Sequence, residues 1–138
     1  MHEAPHLQRF VEAQTATYDT ALAELRSGRK RTHWMWFIFP QIAGLGYSAM
    51  AQRYAIASRA EAADYLAHGI LGPRLRDCTR AMLAVKDRTA NEILGTPDDI
   101  KFRSCMTLFD AVAPHDVFDE ALAWFCGSHR DAATLERL

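Results

Sequence analysis

Hydrophobic side chains recur every three or four residues along most of this chain, and this period constrains the fold more than any other feature. Such spacing puts the side chains on one face of an α-helix. In the first segment the stripe, apolar apart from Gln14, consists of Leu7, Phe10, Val11, Gln14, Tyr18, Ala21, Leu22 and Leu25. Gly28 follows, where a left-handed residue commonly ends a helix. A first helix is therefore predicted from about Pro5 to Ser27.

Capping residues divide the rest of the chain into shorter helices. Ser58 with Glu61, and Thr89 with Glu92, match the capping box, in which Ser or Thr is followed three residues later by Glu. Ser48 predicts another helix start after the loop that follows the first aromatic run. Each of these signals is local, so each predicts where a helix begins without reference to the rest of the fold.

The second half of the chain shows three longer amphipathic segments. They cover residues 70–86, 97–113 and 116–127, and a terminal turn follows from Asp131. Thr96 and Pro97 predict an N-cap and a first helical residue for the middle segment, followed by two carboxylates at the positive end of the helix dipole.

Six consecutive large apolar residues, Trp34 to Phe39, suit a buried strand and a buried helix equally well. A short helix ended by Pro40 is favoured, because no other segment resembles a strand with which this one could pair. The fold class predicted is therefore all-α, a single compact domain over residues 1–138 with about seven or eight helices.

Composition and charge exclude several classes of protein. A chain of 138 residues with 49% hydrophobic residues supplies one core rather than two. Sixteen basic and seventeen acidic residues give a net charge of -1, so no overall field favours nucleic acid or a membrane surface. The absence of a long apolar run or a secretory leader predicts a cytoplasmic protein. No cofactor or metal motif occurs, and Cys78, Cys105 and Cys126 are predicted to be buried free thiols.

The stretch from Arg29 to Gly46 is the strongest candidate for a binding site. Lys30 and Arg31 supply cations, and Trp34 and Trp36 supply flat faces for stacking. This combination suits an anionic aromatic small molecule. The alternative is ordinary core beside a helix end that attracts cations. The two tryptophans are one residue apart, so a helix sends them to different sides, and one of them is expected to be partly exposed.

Two further stretches supply candidate ligand-binding groups. Lys101 and Ser104 share a helix face and are predicted to point into a pocket near His33, the alternative being a solvated face. In the loop after Pro40, Gln41 can contact a polar edge of a ligand, and Arg53 can close over it. A tight surface turn explains the glycines of that loop equally well.

Several blocks of sequence carry a resemblance over nearly the whole chain. They include LQRFVEAQ, HWMWFIFPQIAGLG, LGPRLRDCTRAMLAV and EILGTPDDIKFRSCMTLF. These blocks resemble a bacterial family of small proteins of unknown function, some of which are labelled calpastatin-like. The resemblance implies a wholly helical fold and no established activity. The calpastatin label has no support, because such an inhibitor is an extended disordered chain, whereas this composition builds a core.

Glu12 and His33 are the candidate catalytic groups, if the protein is an enzyme at all. Glu12 lies beside the apolar stripe of the first helix and is predicted to be half-buried, where it could act as an acid or base, although such residues are commonly solvated. His33 can titrate near neutral pH. FVEAQ and KFRSCM are also similar to a small helical family that acts on ADP-ribose derivatives. That similarity implies a glycosidic-bond reaction in a pocket joining Glu12, Lys30, His33 and Lys101.

Three functions of different class follow from the sequence. The first is binding or processing of a nucleotide-like or phosphorylated small molecule, and it is favoured because one local cation-aromatic cluster on a neutral protein suits a small anion. The second is binding of single-stranded nucleic acid, which the net charge disfavours. The third is a protein interaction module with an apolar patch around Trp36 and Tyr47.

Overall fold

Helices joined by short loops build almost the whole of residues 5–138, the part of the chain that the computed structural model describes. After a single 3₁₀ turn at Pro5–Leu7, nine α-helices follow within these residues. They are α1 (Gln8–Arg26), α2 (Met35–Ile38), α3 (Ala49–Arg53), α4 (Arg59–Ala67), α5 (Leu71–Ala84), α6 (Ala90–Leu94), α7 (Asp98–Val112), α8 (Val117–Cys126) and α9 (Ala132–Glu136). The all-α prediction is confirmed. Extended pairing in this range is confined to one isolated bridge between Ile42 and Ile56.

Most of the predicted helix starts are confirmed by their hydrogen bonds. The Ser48 hydroxyl accepts from the backbone N–H of Ala51, and Thr89 forms a complete capping box with Glu92. Gly28 has a φ of 79°, as the predicted helix end requires. The first helix therefore begins and ends within a few residues of the positions that its stripe and its glycine predict.

Two capping predictions need correction. Ser58 accepts from the backbone N–H of Glu61, but the Glu61 carboxylate accepts from the N–H of Ala57, so the reciprocal half of that box is missing. Pro97 occupies the N-cap position of α7 rather than the first helical position. Thr96 does not cap this helix, and its hydroxyl accepts a hydrogen bond from the Asn91 amide at 2.7 Å.

Aromatic rings in edge or tilted contact run through the core from α3 to α8. The ring centroids are 5.8 Å apart for Tyr54 and Phe10, 5.2 Å for Phe10 and Tyr65, 5.3 Å for Tyr65 and Phe109, and 5.8 Å for Phe109 and Phe118. Such pairs add to the free energy gained from burying the rings. Two helices share the centre of the fold. α7, with Phe109 and a long buried face, packs against α4, α6, α8 and α9, and α5 packs against α1, α2, α4 and α8.

The close packing of α4 against the start of α5 depends on Gly72. A Cβ atom at this position would lie 2.2 Å from the backbone carbonyl oxygen of Leu66. Since the obstacle is backbone, no side-chain rotation could remove the clash. Gly72 is thus required for the distance between these two helices.

The predictions about cysteines and membrane spans can also be compared with the structure. Cys78, Cys105 and Cys126 are all free and buried, as predicted. Among the helices described, none combines the length and the apolar character needed to cross a bilayer.

Candidate functional site

The carboxylate of Glu24 organises the loop between α1 and α2. Its Oε1 atom accepts hydrogen bonds from the backbone N–H groups of Arg31 and Thr32, at 2.8 and 3.0 Å, and from the Trp34 indole at 2.9 Å. Its Oε2 atom accepts from the Thr32 hydroxyl at 2.8 Å. These four donors hold the chain on the path into α2 and bury the ring of Trp34. Trp36 is only partly buried, whereas Trp34 is buried, as the spacing of the two tryptophans predicts.

The charge of Glu24 is stabilised by these donors. Burial by itself would raise the pKa of the carboxyl, but the hydrogen bonds from Arg31, Trp34 and Thr32 outweigh burial and lower the pKa to about 2 from an ordinary value of 4.5. The folded state therefore favours the ionised form.

A pH dependence of stability follows from this shift. Because the pKa is lower in the folded state, the contribution of Glu24 is fully present above about pH 4.5 and is lost as the pH falls towards 2. We expect a loss on the order of 2 kcal/mol from this group, allowing for screening by solvent. The measurement is urea unfolding between pH 2 and 6, for the wild type and Glu24→Gln. A constant difference between the two proteins over that range would contradict the assignment.

Two lysines share one aspartate at the start of α7. The Nζ atom of Lys30 lies 2.9 Å from one carboxylate oxygen of Asp98, and the Nζ atom of Lys101 lies 3.8 Å from the other. The Lys30 side chain is only 9% exposed, and its ammonium also lies 5.2 Å from the Trp34 ring. Two cations and one anion leave this group with a net charge of plus one.

Lys101 lines a narrow cleft together with Trp36, Gln41 and Tyr54. Met35, Phe39 and Ala51 complete its lining. The accessible space is about 10 Å³, room for about one water-sized group. The Lys101 ammonium is 5.3 Å from the centre of the Trp36 ring. The Trp36 indole N–H is buried and has no acceptor among residues 5–138. The cleft thus combines a cation, an aromatic ring and an unsatisfied donor.

The prediction that Lys101 and Ser104 share a pocket with the residues near His33 is correct only for Lys101. The Ser104 hydroxyl is buried and donates to the carbonyl of Ile100 within its own helix, at 3.3 Å. His33 is exposed and does not line the cleft.

The half-burial predicted for Glu12 is wrong, because its side chain is exposed. Glu12 lies two residues from Phe10 and from Gln14, both buried, and residues two apart on a helix point in nearly opposite directions. The cleft beside Lys101 also lacks Lys30 and His33. The structure therefore does not bring Glu12, Lys30, His33 and Lys101 together in that cleft.

The remaining candidate cations lie at the surface. Arg31 and Arg53 are both exposed. The Arg53 guanidinium lies 5.4 Å from the ring of its neighbour Tyr54, and its backbone carbonyl accepts from the Nε atom of Arg9 at 2.8 Å. The backbone of Gln41 is fixed in the cleft lining because its main-chain carbonyl accepts from the backbone N–H of Ile56 at 2.8 Å. Of the loop residues, Gln41 is therefore part of the cleft and Arg53 stands beside it.

Sequence reasoning missed the two acidic residues on which this region depends. Glu24 stands in the last turn of α1, on the same face as Ala21 and Leu25, and that position is the signal by which it could have been found. From the sequence, Asp98 is indicated only as a favourable charge at a helix N-terminus. Its contact with Lys30 depends on how α7 packs, so no local pattern indicates it. No cluster of His, Cys, Asp and Glu suited to a metal ion occurs in residues 5–138.

Comparisons with other proteins give a family and a fold but no activity. The model of a family described as "Protein of unknown function (DUF1810)" matches residues 4–138. The chain is also similar to the conserved hypothetical protein Rv1873 from Mycobacterium tuberculosis, whose crystal structure is known. The two are 48% identical with a TM-score of 0.94, and the match covers 96% of this chain and 95% of that one. No curated protein matches the chain.

Proposed function

The chain belongs to the DUF1810 family, whose function is unknown, and we propose that it binds a small nucleotide-like molecule at the cleft of Trp36 and Lys101. The ligand would carry an anionic group and a planar ring. One observation carries the proposal: Trp36 and Lys101, two side chains whose N–H donors lack a strong acceptor, line the same narrow cleft.

The two donors differ in kind but require the same partner. A buried N–H without an acceptor costs about 1–3 kcal/mol, so the Trp36 indole favours any ligand that brings an oxygen. The Lys101 ammonium is 3.8 Å from Asp98, longer than a good charge-assisted hydrogen bond. A phosphate or carboxylate oxygen can accept from either group, and a phosphate carries enough oxygens to accept from each separately.

The size of the cleft limits which part of the ligand can enter it. Space of about 10 Å³ admits a single oxygen-sized group and excludes a ring. The ring of the ligand therefore packs at the mouth, beside the partly exposed Trp36, while an oxygen of its anionic group reaches inwards. Gln41 also lines the cleft and supplies an amide that can donate or accept.

The other functions predicted from the sequence receive less support. Tyr47 is exposed, but Trp36 is partly buried against the core, so the two do not supply an open apolar patch. For a single strand of nucleic acid, Trp34 offers no stacking face, because its ring is only 1% exposed.

A cytoplasmic location fits the three buried free thiols, since the cytoplasm keeps such groups reduced.

Binding of AMP, adenosine and ribose 5-phosphate separates the contributions of the anion and of the ring. We expect AMP to bind most tightly, because only AMP carries both parts. Binding is measured by tryptophan fluorescence and by thermal unfolding, and a ligand at 100 times its Kd adds about 2.7 kcal/mol of stability. Lys101→Met should weaken AMP binding about tenfold or more, and Trp36→Phe about fivefold.

Lys86 and Trp124 provide a matched control pair elsewhere on the surface. The Lys86 ammonium lies 4.5 Å from the Trp124 ring, so this pair has the same chemistry without the cleft of Trp36. Lys86→Met and Trp124→Phe should leave AMP binding unchanged. Binding that is absent in the wild type, or that falls equally in the control variants, would overturn the proposal.

A further inference from the structure

We infer that Asp98 is an internal competitor for the anionic group of the ligand, and that this competition sets the preference of the site for charged over neutral molecules. The inference rests on the proposed function, because it concerns the same Lys101. It assigns Asp98 a role in specificity, although Asp98 does not line the cleft.

The two ion pairs of Asp98 are unequal, and the weaker one is the one that a ligand would replace. Lys30 is nearly buried and lies 2.9 Å from the carboxylate, whereas Lys101 is 27% exposed and lies 3.8 Å away. An ion pair at that distance and exposure stabilises a protein little. Lys101 can therefore leave Asp98 for a ligand at small cost.

Lys30 keeps Asp98 neutralised after Lys101 turns to a ligand. Its position is fixed by its backbone N–H, which donates to the carbonyl of Ile93 at 2.7 Å, and by the nearby Trp34 ring. Asp98 thus retains a close counterion whether the cleft is occupied or not. Compared with an uncharged side chain at this position, the carboxylate still disfavours an anion at Lys101, so it lowers the affinity for anions and leaves that for neutral ligands unchanged.

Two substitutions at Asp98 should shift AMP binding in opposite directions. Asp98→Asn removes the competing charge, and we expect AMP to bind about three- to tenfold more tightly. Asp98→Glu keeps the charge and lengthens the side chain by one methylene group, which is long enough to close the 3.8 Å gap to Lys101, so we expect AMP to bind more weakly. Adenosine, which lacks the phosphate, should change less than twofold with either variant.

Asp99→Asn is the matched control, because it changes the net charge equally on the same helix turn. Asp99 accepts from the Asn91 amide at 3.3 Å, and no lysine among residues 5–138 forms an ion pair with it. Equal gains in AMP binding for Asp98→Asn and Asp99→Asn would overturn the inference, as would AMP and adenosine shifting together. Asp98→Asn removes the ion-pair partner of Lys30, and this variant could fail to fold for that reason. In that case Asp98→Glu decides the question: weaker AMP binding supports the inference, and unchanged AMP binding overturns it. Wild-type protein that binds no AMP would instead refute the proposed function.

Discussion

Replacing Glu24 with alanine is expected to be among the most destabilising single changes in this protein, with a loss of about 2–4 kcal/mol. The change removes the acceptor of four hydrogen bonds at once, from two backbone N–H groups, a hydroxyl and the Trp34 indole. The donors of Arg31 and Thr32 are only part-buried, so water can reach them. The Trp34 indole would remain at a site closed to water, because Trp34 and the Glu24 side chain are both buried. Unsatisfied donors in such a place lose their full solvation free energy.

Glu12→Ala is the matched control for this prediction. Glu12 lies on the same helix but is exposed, so its loss should change the free energy of unfolding by less than about 0.5 kcal/mol. Urea unfolding at pH 7 measures both variants. Glu24→Gln should fall between them, because an amide oxygen accepts hydrogen bonds but carries no charge. A Glu24→Ala variant as stable as Glu12→Ala would show that water replaces the carboxylate.

Gly72→Ala is expected to lower the free energy of unfolding by about 3 kcal/mol or more. The new methyl carbon would lie 2.2 Å from the carbonyl oxygen of Leu66, about an ångström inside normal contact. The start of α5 must then move away from the end of α4, and both helices contribute buried side chains to the core. Such a shift opens the packing around Leu71 and Leu75.

Gly69→Ala provides the comparison, three residues earlier in the chain. A Cβ atom there meets no atom within 4 Å, so the variant should be neutral or slightly more stable than the wild type. Thermal unfolding of the two alanine variants gives the contrast directly. Equal melting temperatures would mean that α4 and α5 can move apart without a loss of stability, which would contradict the prediction.

The helices could be predicted from the sequence because their signals are local. Ser48, Thr89 and Gly28 act on residues within one turn, so a short pattern contains all the information needed. Pro97 shows the limit of such signals. Thr96 has the residue type of a cap, but its hydroxyl accepts from Asn91, five residues earlier, and Pro97 takes the N-cap position.

The candidate site was only partly predictable, for a related reason. Residue type indicates Trp36, Gln41 and Lys101 as candidate ligand-binding residues, and the structure brings these three into one cleft. Residue type alone does not distinguish them from Arg31 or His33, which are exposed. Burial depends on which distant residues pack against the loop. Here they include Lys101 and Phe102 of α7, more than fifty residues further along the chain.

The hydrogen bonds of Glu24 also have a consequence for the order in which the chain folds. They join residues only 7, 8 and 10 positions apart. The bonds by which Arg9 holds the segment around Ala55 span 44 to 52 residues. Loop-closure entropy rises with the number of residues enclosed, so the turn from α1 into α2 is the cheaper structure to form first. The loop that contains Trp36 can therefore form early as a local structure, before α7 packs and brings Lys101 into the cleft.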